Sequence, residues 1–484
     1  MTRRGPGEPM NGRTNAVLDE VVGEPGSFRD RGASVFYLGD HVYRGLREGA
    51  FRNWTELSKT RFFKGLIADR GLVHTEVADM SDLEPPGTES WSAVLRHETI
   101  SFVSYPYEWP FEMLRDAALQ QLDILGVALD EGFVLKDASP FNTQWFGTRP
   151  VFIDVASFEP LAEGEPWHGY RQFCRMFLYP LFLQAYRGVP FQPWLRGSIE
   201  GLNAEDFSRL MSWRDLLRPG VFAHVFLQAQ LEARYGASDG DIRGQLKAGG
   251  FHTDLIRNNV RRMRRLVATL RRRHKRSEWS EYANDHSYSA QDLAAKTAFV
   301  HEGLRLRSWN VVWDLGCNTG THSRAAALNA RYVVAMDGDE VAVGRLYTSL
   351  KAEGHRSILP LVIDLANPSP NLGWRGLERK ALPERGMPDL TLCLALVHHM
   401  AITANIPLKD IVDWLAQLGT SLIIEFPNRS DAMVQRLLRN KKDDHPEYSL
   451  EVFERAMAGS FNVVRRQELR AGTRVLYYGT PKRG

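Results

Sequence analysis

The stretch Asn310-Val311-Val312-Trp313-Asp314-Leu315-Gly316-Cys317-Asn318-Thr319-Gly320 decides the reading of this chain. Six residues of strand character run into a turn punctuated by glycine, and helix-forming residues follow from Thr321. A turn of this kind lets the backbone come close to a ligand before a helix begins. A glycine-rich loop alone is equally compatible with a dinucleotide site. Asp314 shifts the balance, because a phosphate-binding loop gains nothing from a carboxylate there, whereas a cationic amino group does.

Working outward, strand-like blocks alternate with helical ones. Asn310–Leu315, Tyr332–Met336, Ile358–Ile363, Leu390–Leu396 and Ser421–Phe426 read as strands, followed by β-rich runs at Phe461–Val464 and Thr473–Tyr478. Thr321–Asn329 and Val341–Glu353 read as helices between them. Such alternation predicts a parallel sheet with crossover helices and a ligand beyond the carboxyl ends of its strands. Asp337 ends the second strand, where a carboxylate meets ribose hydroxyls, and Asp364 ends the third, where it can accept from an adenine amino group.

D-L-G-C-N-T-G with the two later aspartates resembles motif I and the following acidic positions of the class I S-adenosylmethionine-dependent methyltransferases. The resemblance covers residues 278–484 and departs from the commonest pattern at Asn318, where a second glycine is usual. It implies an α/β fold: a doubly wound, Rossmann-like sheet with a terminal β-hairpin. It also implies S-adenosyl-L-methionine as cofactor, held by Asp314, Gly316, Asn318, Gly320, Asp337, Asp364 and Leu365. Upstream, Trp279, Tyr282, Tyr288 and Lys296 resemble a lead-in helix of some of these enzymes, with Tyr288 either covering the cofactor or packing on the sheet.

The fourth strand runs into His398-His399. In this superfamily that strand end faces the transferred methyl group, and a histidine titrating near neutrality can remove the acceptor's proton. The competing reading is that the pair caps or packs the next helix. An N-P-P-Y-like tetrapeptide is missing here, which argues against adenine-N6 or glutamine methylation. Cys393, inside the strand, reads as core.

A second constellation lies in the N-terminal half: Lys136-Asp137-Ala138-Ser139-Pro140-Phe141-Asn142, then Val151-Phe152-Ile153-Asp154. One carboxylate can orient a hydroxyl while Asn142 and Asp154 hold a metal that bridges phosphates. The spacing resembles the protein-kinase and aminoglycoside-phosphotransferase fold, which implies an α+β domain with Asp137 catalytic, Asn142 and Asp154 on metal, and Mg-ATP bound. Trp91–Phe102 would be a strand entering a hinge at Ser104–Tyr107, with helices Phe111–Leu125 and Tyr170–Tyr186 beyond it. The departures are Leu135 in place of the usual histidine, no Phe-Gly after Asp154, and neither Lys59 nor Lys64 in a convincing third strand; Arg44 is the substitute cation. Without phosphotransfer, the same residues read as turn chemistry in a substrate-recognition domain. Across the whole chain, Tyr105–Leu114, Lys136–Asn142 and Asp389–His399 resemble NoeA-like bacterial methyltransferases, which implies a glycan or small-metabolite role.

The totals agree. The 484 residues suffice for two or three domains, and 43% hydrophobic with 25% charged residues is ordinary globular usage. A net charge of +3 means that any basic surface is local. Three separated cysteines exclude a disulfide framework and a cysteine-rich zinc site, and suit the cytoplasm. No signal peptide or membrane span is readable. Residues 1–30 read as disordered, 31–250 as the kinase-like or recognition domain, 251–277 as a basic connector helix and 278–484 as the methyltransferase domain. In the connector, ten Lys or Arg residues between Arg257 and Arg276 surround an apolar stripe. Solvated arginines on an amphipathic connector are the plain reading, and a phosphate-gripping face is the other. The expected function is methyl transfer to oxygen or nitrogen of a small-molecule or glycan acceptor, coupled to the N-terminal domain. The alternatives are an RNA methyltransferase using the basic helix, and a regulatory binding module with a degenerate site.

Overall fold

The computed structural model describes residues 21–79, 91–162, 165–230, 253–273, 288–439, 441 and 445–482. Trp279, Tyr282, the glycine-rich stretch 236–250 and residues 1–20 lie outside them. The described residues form two compact units, one within 21–51 and 75–99 and the other within 52–74 and 100–482.

The first unit holds five antiparallel strands, β1 (Val21–Gly23), β2 (Ala33–Leu38), β3 (His41–Leu46), β4 (Thr75–Val77) and β5 (Ala93–His97), in the order β1-β2-β3-β5-β4. Its core gathers Phe36, Tyr43, Trp91 and Val94. Gly45 is required beneath the indole, since a Cβ there would lie 2.4 Å from Trp91 Cδ2. The expectation of disorder through residue 30 is corrected at Val21. Val21–Gly23 pair with Phe36–Leu38, and the Glu24 carboxylate accepts from Gly26 N–H and from the Tyr37 hydroxyl. Arg44 stands on β3, as its strand-like neighbours predict.

In the second unit, helix Phe111–Asp130 buries Phe111, Met113, Leu114, Ala117, Ala118, Leu122 and Leu125, the stripe that a 3.6-residue period turns to one side. Two antiparallel pairs follow it, β6 (Phe133–Leu135) with β9 (Phe158–Pro160) and β7 (Thr143–Phe146) with β8 (Arg149–Phe152). The helical run Tyr170–Arg187 ends at Gly188, whose φ of 68° is the left-handed stop that glycine accepts most readily. The basic helix spans Thr253–Thr269 and buries Ile256, Val260, Met263 and Val267 against helix Phe111–Asp130. Three of its flanking arginines are spent on that neighbour: Arg257 pairs with Asp130, Arg264 with Asp123 and Arg272 with Glu112.

The remaining seven strands, β10 (Trp309–Leu315), β11 (Ala330–Asp337), β12 (Ile358–Val362), β13 (Leu390–Cys393), β14 (Ser421–Pro427), β15 (Phe461–Glu468) and β16 (Arg474–Pro481), form one sheet. Their order is β12-β11-β10-β13-β14-β16-β15. The first five are parallel, and β16 runs antiparallel to both β14 and β15. β13 stops at Cys393, short of the expected Leu396, because the chain turns at Ala395 with φ of 52°. Val312, Val333, Ala335, Leu392, Ile423 and Leu476 stack into the core beneath helix Ala290–Leu304.

Within this unit the β7–β8 hairpin and helix Phe111–Asp130 pack directly on the sheet and its helices. The Tyr332 hydroxyl donates to Trp145 O and accepts from Gly147 N–H, and the Tyr347 hydroxyl donates to Asp116. Arg385 grips the Glu108 carboxylate with two hydrogen bonds of 2.6 and 2.7 Å, both side chains being essentially inaccessible to solvent. Ser369 donates to the same carboxylate. Among the described residues no helix is long and apolar enough to cross a membrane.

Candidate functional site

Around the carboxyl ends of β10, β11, β12 and β13 lies a cleft of ≈ 490 Å³, inside the range of small-ligand pockets. Strand β10, the middle one of the five parallel strands, has β11 on one side and β13 on the other, so crossovers leave it in opposite directions and open the sheet at this point.

The loop after β10 is held by backbone bonds. Gly316 N–H and Cys317 N–H both donate to Met336 O, and Gly320 N–H donates to Cys317 O. Gly316, Asn318 and Gly320 all have positive φ, at 76°, 49° and 83°. That explains the departure from the usual glycine at 318, since asparagine tolerates the left-handed region better than most residues. A Cβ at Gly320 would lie 2.5 Å from Leu346 Cδ1, so the absent side chain there serves helix packing.

The acidic residues differ in their tasks. Asp314 is buried, accepts from Ser323 Oγ at 2.5 Å, and burial raises its pKa to about 6. Asp337 accepts Asn318 N–H on one oxygen and Asp339 N–H on the other, both at 2.8 Å, which ties the ends of β10 and β11 together. Each oxygen keeps a second lone pair for a ligand hydroxyl. Asp364 is exposed and accepts only locally, from Ala366 N–H among the bonds described. Asp314, Gly316, Asn318, Asp337, Asp364, Leu365, Tyr288, His398 and His399 all line the cleft, and Gly320 stands behind it.

His398 and His399 sit past the turn at Ala395, with ring centroids 4.1 Å apart. His398 begins the helical turn His399–Thr403 and is 1% exposed. Burial, then its neighbour His399, holds the His398 pKa well below the usual histidine range, and burial with Arg474 lowers that of His399 to about 4. Both rings are therefore neutral at physiological pH. His398 Nδ1 is buried with no hydrogen-bond partner among the described residues. Cys393 is core, as expected, its thiol pushed up to about 12 by burial.

Sequence reasoning singled out Tyr288 and Lys296 but missed Glu425, Asp431 and Arg474, which complete the cleft's polar wall. Glu425 on β14 is wholly buried; its Oε2 accepts from Lys296 Nζ at 2.8 Å and from Ala395 N–H at 2.9 Å, and its Oε1 from the Tyr288 hydroxyl at 2.7 Å. Arg474 lies 3.5 Å from Glu425, donates to the Tyr288 oxygen, and binds Asp431 through two N–H groups. Burial alone would raise the Glu425 pKa, but Lys296 and Arg474 outweigh it and hold the value at about 2. Tyr288 therefore lines the cleft with its ring while its hydroxyl is committed to Glu425, Lys296 and Arg474. His322, on the helix after the loop, also lines the cleft, with its pKa lowered to about 4 by burial.

The donor set fits an S-adenosylmethionine molecule: the buried Asp314 for a cationic group, strand-end carboxylates for hydroxyls and an amino group, and open backbone at Gly316. Asp137, Asn142 and Asp154 also converge, elsewhere in the same unit. Asn142 Nδ2 lies 3.3 Å from Asp137 Oδ2 and 3.5 Å from Asp154 Oδ2, bridging two carboxylates that the sequence separates by 17 positions. Burial and then the charge of Asp154 raise the Asp137 pKa. As placed, Asn142 turns its NH₂ rather than its carbonyl toward both. No group of three His, Cys, Asp or Glu suited to a metal occurs among the described residues.

A seven-stranded sheet with β16 reversed, a glycine turn after β10 and carboxylates at or near three strand ends is the architecture of the class I methyltransferase fold. The chain is 33% identical over 458 residues to Nodulation protein NoeA of Rhizobium meliloti (strain 1021), across 93% of this chain and 94% of that protein. It belongs to the NoeA family. No family model matches it. Among solved structures, it is similar to the N-methyltransferase NodS of Bradyrhizobium japonicum WM9 in complex with S-adenosyl-L-homocysteine, at 12% identity over 40% of this chain and 89% of that one (TM-score 0.30). Magnesium protoporphyrin IX methyltransferase of Synechocystis PCC 6803 is similar at 16% identity over 40% and 82% (TM-score 0.29).

Proposed function

We propose that this chain transfers the methyl group of S-adenosyl-L-methionine to an oxygen or nitrogen of a small-molecule or glycan acceptor, with His398 as proton acceptor. The observation that carries it is the meeting of Asp314, Asp337, Asp364 and the His398–His399 pair in one cleft. Asp314 would pair with the amino group of the cofactor, Asp337 accept from ribose hydroxyls and Asp364 from the adenine amino group. The bound cofactor supplies an electrophilic methyl carbon on a positive sulfur. The residues of the chain have then to orient the acceptor, exclude water and take a proton. A neutral His398 with a lone pair at Nδ1 suits the last task even though it is a weak base. Once the acceptor atom has begun to bond to carbon it carries positive charge, and its proton becomes acidic. An RNA acceptor is less well supported, because Arg257, Arg264 and Arg272 are committed to carboxylates.

The test is methyl-labelled cofactor incubated with the protein and with small-molecule and glycan extracts, the product being identified by mass spectrometry. His398→Ala should bind cofactor normally and lose roughly 10²–10⁴-fold in turnover. Single-digit losses in both His398→Ala and His399→Ala would reduce the pair to helix capping.

A second reading, phosphotransfer at the N-terminal cluster, is supported by the convergence of Asp137, Asn142 and Asp154. Mg²⁺ would be needed to screen phosphate charge from the two carboxylates. The full chain should then show a thermal shift with ATP only when Mg²⁺ is present, abolished in Asp154→Asn and kept in Asp137→Asn. No shift with Mg-ATP leaves a recognition domain.

A further inference from the structure

Lys296 lines the cleft together with Asp314 and is only 5% exposed. Its partners account for its position but not for all of its bonding. Of its three N–H groups, one goes to Glu425 Oε2 and one to the Tyr288 hydroxyl. Tyr288 has nothing more to offer, since its hydroxyl donates to Glu425 and accepts from Lys296 and Arg474. Glu425 is likewise occupied on both oxygens.

Charge leads to the same place. Lys296 and Arg474 balance Glu425 and Asp431, and Asp314 adds a carboxylate beside them, with Asp337, Asp339 and Asp364 further along the cleft. S-adenosylmethionine carries a sulfonium, an ammonium and a carboxylate, a net +1. The ligand's ammonium meets an opposite charge in Asp314, and its carboxylate needs a cation with an N–H to spare, which Lys296 has.

Resting on the cofactor reading above, we infer that Lys296 is the seat of the α-carboxylate of S-adenosylmethionine, with Glu425 as its positioning residue. Asp314 takes the ammonium of the same amino-acid end, so the two side chains read a zwitterion together. Glu425 Oε2 is shared between Lys296 Nζ and Ala395 N–H. The group that seats the cofactor's tail is thus bonded to the turn that presents His398 and His399. A lysine on a helix, a glutamate on β14 and an alanine after β13 are placed in register by one oxygen atom.

Calorimetry on the full chain, with S-adenosylmethionine and with decarboxylated S-adenosylmethionine as probes, tests this without requiring turnover. The unmutated protein should bind the decarboxylated form about 10- to 100-fold more weakly, the loss of one charge-assisted bond. Lys296→Met alone strands Glu425 in the interior, so the informative variant is Lys296→Met with Glu425→Gln, checked for fold by circular dichroism. It should bind both probes alike and at the weaker level. Equal affinity of the two probes for the unmutated protein would overturn the inference and leave the cofactor assignment standing, and so would discrimination that survives in the folded double variant. Failure of the unmutated protein to bind either probe would overturn the cofactor assignment and this inference with it.

Discussion

Asp314 makes cofactor binding depend on pH in a direction that can be worked out. Burial moves its pKa from 3.8 to about 6 in the free protein. Only the ionised form attracts an ammonium group, so affinity should fall as the pH drops through 6, approaching tenfold per pH unit below it. At the alkaline end the ligand's own α-amino group begins to lose its charge. Binding is therefore strongest above about pH 6 and below the pH at which that amino group loses its proton. Stability runs the other way. The folded pKa lies above the unfolded one, so the contribution of this group is complete below 3.8 and lost as pH rises through about 6. The loss is on the order of 3 kcal/mol in the free protein. Asp314→Asn should accordingly be more stable than the parent at pH 8, bind more weakly there, and show no acid-side slope. Titration calorimetry with S-adenosyl-L-homocysteine between pH 5 and 8, with thermal melts of the free proteins, measures both effects. A flat affinity from pH 5 to 7 in the parent, or an unchanged slope in Asp314→Asn, would refute the pairing.

Two further substitutions probe the scaffold. Gly320→Ala places a Cβ in the left-handed region and 2.5 Å from buried Leu346, so it should cost roughly 2–5 kcal/mol, with cofactor affinity falling alongside; an unchanged denaturation midpoint would show that the loop is not held as described. Glu108→Ala leaves Arg385 buried without its carboxylate and should cost about 3–5 kcal/mol, with hydrogen exchange rising together in residues 103–109 and 369–385; a change of under about 1 kcal/mol would mean that water reaches the pair.

The methyltransferase sheet was legible because its signals are local. Its first three strands end at or near an aspartate suited to a ligand, and the hydrophobic period switches from strand to helix within a few positions. Asp314, Asp337 and Asp364 could be placed at strand ends before any contact was known. The convergence of Asp137, Asn142 and Asp154 was also legible, because a short turn and a hairpin bring back residues spaced in this way. The ends of elements were less so: β13 stops early at Ala395, whose positive φ no propensity predicts, and β1 is a strand only because β2 offers it a partner. Tyr288 and Lys296 were singled out in the sequence, but tertiary structure alone decided how the polar wall of the cleft is paired. Lys296, Ala395, Glu425, Asp431 and Arg474 come from well-separated parts of the chain, and a buried charge has no sequence signature until its partner arrives. The same holds for Glu108 with Arg385, which joins the N-terminal helical region to the sheet. Local backbone preference writes strands, turns and helices into the sequence. The pairing of charges in a low-dielectric interior depends on distances that only the completed fold sets.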